Sequence, residues 1–408
     1  MADLAEQLKW VNDAAQSEAK GVPGAHLDLL EAIQALSNAV TTPAEKLLRI
    51  RFQPYLNVCI RIGQELGILQ VLAARGPKTT AAEISAQIKV DGLLIGENIS
   101  PCKVCRLLMI PVRVMRPITL AGIADEVGVA EYAPNETTSY AIQKGIIGDV
   151  NTDIVLKTCS SVGPMMRDNE FHQFPTADQI TPVSYTLGKP LFPFLSENPE
   201  YGTAFNNFMA ARRQATWHKW YNVYPAAERL PLQRLKTEKD AVLLVDVGGG
   251  TGYWTQAFSE HFQGSLPGRL IVQDLPKVVH GISIQGIEHM SYDFFTPQPV
   301  KGARAYYFKA VMHDFNDEVA EKILGNTVAA MEKGYSTLLI EDFVLPEKGV
   351  GWRAAHLDIA MMVLNTGIER TEKQWKNLLE SVGVKIVKIW SVGDISEGNE
   401  AVIECEKV

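Results

Sequence analysis

The stretch Leu243-Leu244-Val245-Asp246-Val247-Gly248-Gly249-Gly250-Thr251-Gly252 decides how this 408-residue chain is read. It is a continuous apolar run that ends in an acid and then in spaced glycines. Such a run is a strand buried on both faces, the kind a parallel sheet needs. The glycines let the backbone turn tightly and approach a ligand, and the helical spacing of "YWTQAFSEHF" follows at once. Gly248, Gly250 and Gly252 are spaced G-x-G-x-G. A dinucleotide fingerprint would need a glycine where Tyr253 stands.

Outward from the loop, "RLIVQDLP", "ARAYYFKAV" and "YSTLLIEDFVLP" are further short apolar strands, and "DEVAEKILGNTVAAMEK" has helical spacing between two of them. Alternating strands and helices predict an α/β fold with a mostly parallel, doubly wound sheet. "VKIVKIWSV" and "EAVIECEKV" predict a hairpin closing one edge. Asp274, in "VQDLP", falls where a ribose-binding acid belongs. With Asp246 ahead of the glycines, the pattern fits a nucleoside ligand without a pyrophosphate, and S-adenosyl-L-methionine is the candidate.

Before about residue 235 the character differs. "AHLDLLEAIQALSNAV" and "LNVCIRIGQELGILQVLAA" are helical, "KTTAAEISAQI" opens with a capping-box pattern, and "LAGIADEVGVAEYAP" suggests a small helix, a turn at Gly128 and a strand stopped by Pro134. That order predicts a winged-helix module without an obvious basic recognition helix. The expected division is residues 1–235, helical and winged-helix, and 236–408, nucleoside-binding.

Forty-seven acidic residues against 39 basic ones leave a net charge of −8, which argues against nucleic acid as a partner. No apolar run approaches the roughly 20 residues of a membrane span, and the first residues lack a signal-peptide pattern, so no membrane association and a cytoplasmic location are expected. Five cysteines (Cys59, Cys102, Cys105, Cys159, Cys405) suit a reducing compartment. Cys102-x-x-Cys105 has no second ligand pair at zinc spacing, so no metal is expected.

"YYFKAVMHDF", residues 306–315, is apolar except for Lys309 and the closing His313-Asp314. By itself it leaves open whether His313 is a core histidine or a base. The motifs "LVDVGGGTG", "DLP", "HD", "VLP" and "ERTEKQW" occur in that order between Leu244 and Trp375, and the likeness they belong to runs from the N-terminal helices to the final hairpin. In this the chain resembles the class I S-adenosylmethionine-dependent small-molecule O-methyltransferases, typified by plant caffeate and flavonoid enzymes and their fungal secondary-metabolism relatives.

The resemblance implies a Rossmann-like methyltransferase domain, an N-terminal dimerisation domain and a homodimer. It implies cofactor roles for Gly248, Gly250, Gly252, Asp274 and Lys309, and adenine contacts from Asp293 and Phe294 in "SYDFF". His313 matches the catalytic base and Glu369 one of the acids that brace it. The other brace falls on Asp342 by counting back from Pro346, with Glu341 its neighbour. Side chains alternate across a strand, so only one of the two should face the base, and Asp342 is the choice. Met209, Met361 and Met362 match pocket-lining positions for a small-molecule substrate. Asp314 is expected to be structural.

The implied activity is methyl transfer to a hydroxyl of an aromatic or polyketide-type secondary metabolite. Some fungal proteins of this fold instead keep the cofactor and catalyse dehydration or pericyclic cyclisation, and these tend to lose the base. Retention of His313, Asp342 and Glu369 favours methyl transfer. The chain departs from the pattern at about Gly96 to Pro111, where some fifteen residues intervene, and this segment reads as an insertion of the kind a retained intron would leave.

Overall fold

The apolar run 242–247 is the central strand of a parallel sheet. In the computed structural model, which describes residues 4–22, 24–88, 103–142, 150–168, 181–214, 219–230, 241–263, 266–391 and 400–408, the strands in chain order are as follows. Three are short: β1 (Thr79–Thr80), β2 (Ala124–Gly128) and β3 (Glu131–Pro134). The others are β4 (Val242–Val247), β5 (Arg269–Asp274), β6 (Ile287–Ser291), β7 (Ala305–Lys309), β8 (Thr337–Leu345), β9 (Arg370–Thr371), β10 (Val384–Trp390) and β11 (Glu400–Lys407).

The main sheet runs β10-β11-β8-β7-β4-β5-β6, with β9 paired to β8. Strands β4 to β8 pair in parallel, whereas β11 and β10 are antiparallel. The chain steps from β4 outward through β5 and β6, then returns to β7 on the other side of β4. The strand order therefore reverses between β4 and β7, and their carboxyl ends are where an open α/β sheet binds ligands.

Both faces of the sheet are covered, which is why its strands read as unbroken apolar runs. Tyr306, Phe308, Leu338 and Ile340 point into one core with Ile323, Leu324, Trp375 and Leu379. Tyr307 and Leu339 point into the other, with Trp220, Trp254 and Phe258. Trp220 stacks between Tyr307 and Phe258, with ring centroids 4.8 Å from each.

Two compact units emerge: residues 1–154 with 199–211, and residues 155–198 with 212–408. Segment 155–198 groups with the sheet-bearing unit, unlike the single break expected near 235. In the first unit, Thr80 caps the helix Ala81–Gln87 in a complete capping box with Glu83. Residues 124–128, read as the end of a small helix, are strand β2, paired to β3 in the three-stranded sheet. A core of Ile60, Leu69, Leu72, Ile84, Met115, Ile118 and Tyr132 holds this module together. Helix Lys103–Leu120 contains Pro111 and Pro117; Cys102 and residues 96–102 lie outside the described residues. No single helix among the described residues is long and apolar enough to cross a membrane.

Candidate active site

The glycine loop leaves β4 and folds back over it. Gly248 and Gly249 donate their backbone N–H groups to the Gln273 carbonyl, at 2.8 and 3.1 Å. Gly250 donates to Asp274 Oδ2 at 2.8 Å, so the acid at the tip of β5 fastens the loop. Gly248 has φ +73°, and a Cβ there would lie 3.0 Å from Val311 and 3.8 Å from the Phe294 ring. Gly248 thus packs against Val311 and near Phe294, which lies in the turn where Asp293 Oδ1 accepts the Phe295 N–H at 3.0 Å. Asp246 lies under the loop, 2% exposed, and accepts Thr255 Oγ1 at 2.6 Å.

Strand β7 ends at Lys309. His313 lies beyond it, on a short 3-10 turn, Met312–Asp314. Ala310, with φ +48°, turns the chain out of β7; a non-glycine residue reaches that left-handed region at a cost in strain.

Alternation along β8 separates the two acids. Glu341 faces the side of Tyr307 and Lys309. Lys309 Nζ lies 2.6 Å from Glu341 and 2.8 Å from Glu400, over the Trp254 ring at 4.7 Å, and Tyr307 donates its hydroxyl to Glu341. Burial works against the Lys309 charge, but these two carboxylates hold its pKa above the ordinary value. Burial pushes Glu341 up against the pull of Lys309. The Lys309 ammonium is therefore bound within the protein.

Asp342 points to the opposite side, its Oδ1 3.7 Å from His313 Nδ1, while Glu369 Oε1 accepts from the same nitrogen at 2.7 Å. Both acids thus brace one ring nitrogen. Asp314 Oδ1 stands 4.0 Å from Nε2, beyond hydrogen-bond distance, and accepts instead from Asn365 at 2.9 Å. Burial disfavours the imidazolium, yet Asp342 and the Glu369 bond outweigh it and raise His313 to about 9. Burial lifts the Asp342 carboxyl to about 7, against His313 and Arg370. Among the described residues neither Asp342 oxygen has a hydrogen-bond donor, which makes this a costly acid to keep charged.

Met361 is buried and Met362 half-buried near the end of helix Trp352–Leu364; Met209, half-buried, sits on helix Pro199–Gln214 in the first unit. Several residues that build the site escaped the sequence reading. Gly249 has Asp246 directly beneath it, and a Cβ at Gly367 would meet the His313 carbonyl at 2.0 Å. Gln273 and Gln298 join their side-chain amides reciprocally, both at 2.8 Å and both buried. Only the glycines carried a local signal.

A glycine loop fastened at the reversal point of a doubly wound sheet defines a Rossmann-like α/β fold with a ligand site at that point. Comparison with known proteins narrows this. The O-methyltransferase domain family matches residues 174–385. The chain is 32% identical to Methyltransferase cfoC of Aspergillus candidus, over 93% of this chain and 90% of that one. It is 30% identical to the demethylsterigmatocystin 6-O-methyltransferase of Aspergillus parasiticus, over 84% and 83%. Among solved structures, OxaC in complex with SAH and oxaline superposes with a TM-score of 0.82 at 29% identity over 99% of both chains. LepI in complex with SAM does so with 0.84 at 22% identity, over 100% of both, a likeness of fold.

This chain belongs to the S-adenosylmethionine-dependent O-methyltransferase family. The residues present fit the cofactor: a glycine loop folds over the carboxyl end of β4 with the Phe294 ring close by, and Asp274 lies at the tip of the next strand.

Proposed function

We propose that the protein methylates a hydroxyl of an aromatic or polyketide-type small molecule, with His313 as general base. The observation that carries this is the bracing of His313 Nδ1 by Glu369 and Asp342, which leaves Nε2 as the nitrogen to meet substrate. S-adenosylmethionine, when bound, supplies an electrophilic methyl on its sulfonium. Gly248, Gly250, Gly252, Asp274, Asp293 and Phe294 would hold it. A phenolic hydroxyl titrates near ~10 and attacks well only as it loses its proton. His313 Nε2 would take that proton from the substrate hydroxyl, and the Nδ1–H donated to Glu369 would steady the resulting charge.

Met361 and Met362, on their helix, are proposed to line the substrate pocket. The relatives' names support a secondary-metabolite acceptor: one is a 6-O-methyltransferase acting on demethylsterigmatocystin. Incubation with methyl-labelled cofactor and a panel of hydroxylated aromatic metabolites tests the reaction. Labelled product is expected; a rearranged product of unchanged mass would sink this reading in favour of cofactor-assisted cyclisation.

The pH dependence is also determined. Only neutral imidazole accepts a proton, so kcat is expected to rise with pH and level off near His313's value of about 9. Asp342 is the strongest of the groups holding that value up. Asp342→Asn should therefore move the midpoint down by about 1–2 units. A midpoint unmoved in the variant's kcat–pH profile refutes the assignment of Asp342.

The first unit is proposed to form the interface of a homodimer, with residues 79–134 as a winged-helix module. Helix Pro43–Glu65 leaves Leu47, Ile50, Phe52 and Tyr55 more than half exposed, a costly face for a lone chain. Light scattering is expected to give twice the chain mass, and a monomer at micromolar concentration contradicts the proposal.

A further inference from the structure

We propose that Arg370 is a positioning residue for methyl transfer, whose guanidinium locks the turn carrying His313 onto the segment carrying Glu369. The inference rests on the reading of His313 as base.

Arg370 is fully buried. One terminal nitrogen donates to the Met312 carbonyl at 2.9 Å and the other to the Phe315 carbonyl at 2.7 Å, while Nε pairs with Asp317 at 2.8 Å. Met312 and Phe315 bracket His313 and Asp314. A 3-10 turn of three residues satisfies few of its own carbonyls, so these bonds have to come from outside. Only a planar fork with five donors reaches several acceptors at once; an ammonium would act as a point charge.

The same segment grips the turn at other points. Ile368 donates its N–H to the His313 carbonyl at 3.0 Å, and Asn365 donates to Asp314. The Arg370 guanidinium also lies over the Trp375 ring at 5.2 Å, and Trp375 donates its indole N–H to the Phe343 carbonyl at 2.9 Å, one residue beyond Asp342. Base and both braces thus hang from one buried side chain. The turn needs such a hold because it begins at Ala310, whose left-handed backbone gains nothing by itself. Arg370's charge also draws the Asp342 carboxyl toward its ionised form.

Single-turnover methyl transfer at saturating cofactor, SAH affinity by calorimetry and the thermal midpoint are to be measured for Arg370→Met and Arg370→Lys. Both are expected to slow transfer about 100-fold with SAH affinity unchanged, the size of effect a misplacement near 1 Å produces. Arg370→Lys keeps the charge and the wild-type pH midpoint; Arg370→Met shifts it. Wild-type rate per folded molecule, or SAH affinity falling in step with rate, overturns the proposal. His313→Ala is run alongside. If it too leaves the rate intact, the base assignment has failed; if it abolishes transfer while the Arg370 variants are fast, only the positioning role has failed. Should neither Arg370 variant fold, Asp317→Asn decides, because Asp317 is largely exposed and its loss removes one arm of the grip. Slower transfer with intact SAH binding supports the role, and a wild-type rate overturns it.

Discussion

His313→Ala is expected to lower kcat by about 10²–10⁴-fold, the range that a positioned proton acceptor contributes, while leaving SAH binding at the wild-type value. The separation follows from where the residue sits. The loop and turn proposed to hold the cofactor hang from β4, β5 and β6, whereas His313 follows β7. No hydrogen bond joins His313 to Gly248–Gly252, Asp274, Asp293 or Phe294 among the described residues.

Folding raises the pKa of His313 from 6.5 to about 9. The group therefore contributes stability that is complete below pH 6.5 and is lost as pH rises through 9. The variant loses this contribution at low and neutral pH, and it leaves Glu369 and Asp342 buried without their partner. Its thermal midpoint should fall below the wild type at every pH, because the two carboxylates stay unpartnered, and the part of the gap owed to the His313 charge should be lost above pH 9. Calorimetry with SAH and a pH series of melts check both statements. A variant that methylates at the wild-type rate ends the general-base reading, whatever its stability.

Much of the sheet was legible because burial on both faces leaves strands with nothing but apolar residues. The run 242–247, the acid of "VQDLP" and the hairpin of β10 and β11 needed no further information. Alternation along β8 is a strictly local rule, so the sequence could say that Glu341 and Asp342 part company, though not which core each would meet. What stayed illegible shares a cause. The resemblance gave Lys309 a cofactor role, but the sequence could not name the partners of its ammonium, Glu341 on the neighbouring strand and Glu400, 91 residues on. Residues 124–128 have no periodicity strong enough to defeat a helix reading, and pairing with β3 made them a strand. Arg370 sat inside a quoted motif unremarked, since its partners Met312 and Phe315 offer only carbonyls, which every residue has.

Gly249 shows the same limit, and Gly249→Ala is expected to weaken SAH binding by roughly 10–100-fold, since forcing a methyl into a packed site costs about 1–3 kcal/mol. The G-x-G-x-G spacing passes over this residue, and its φ is not left-handed, so no conformational rule marks it. What marks it is contact. A Cβ would stand 2.5 Å from the Asp246 carboxylate carbon and 2.7 and 2.8 Å from its oxygens. The carboxylate has nowhere to go: it is 2% exposed and bonded to Thr255 at 2.6 Å. The loop has little freedom to lift, because the Gly248 and Gly249 amides share the Gln273 carbonyl and Gln273 is pinned by Gln298. Something in the floor of the cofactor loop must therefore shift. Removing the obstacle should relieve the strain: the double variant Asp246→Ala/Gly249→Ala is expected to regain thermal stability over Gly249→Ala alone, although burying Thr255 without its acceptor keeps it below the wild type. If Gly249→Ala binds SAH as the native protein does, the loop is not seated on Asp246 as described. If the double variant melts no higher than the single, the clash lies elsewhere.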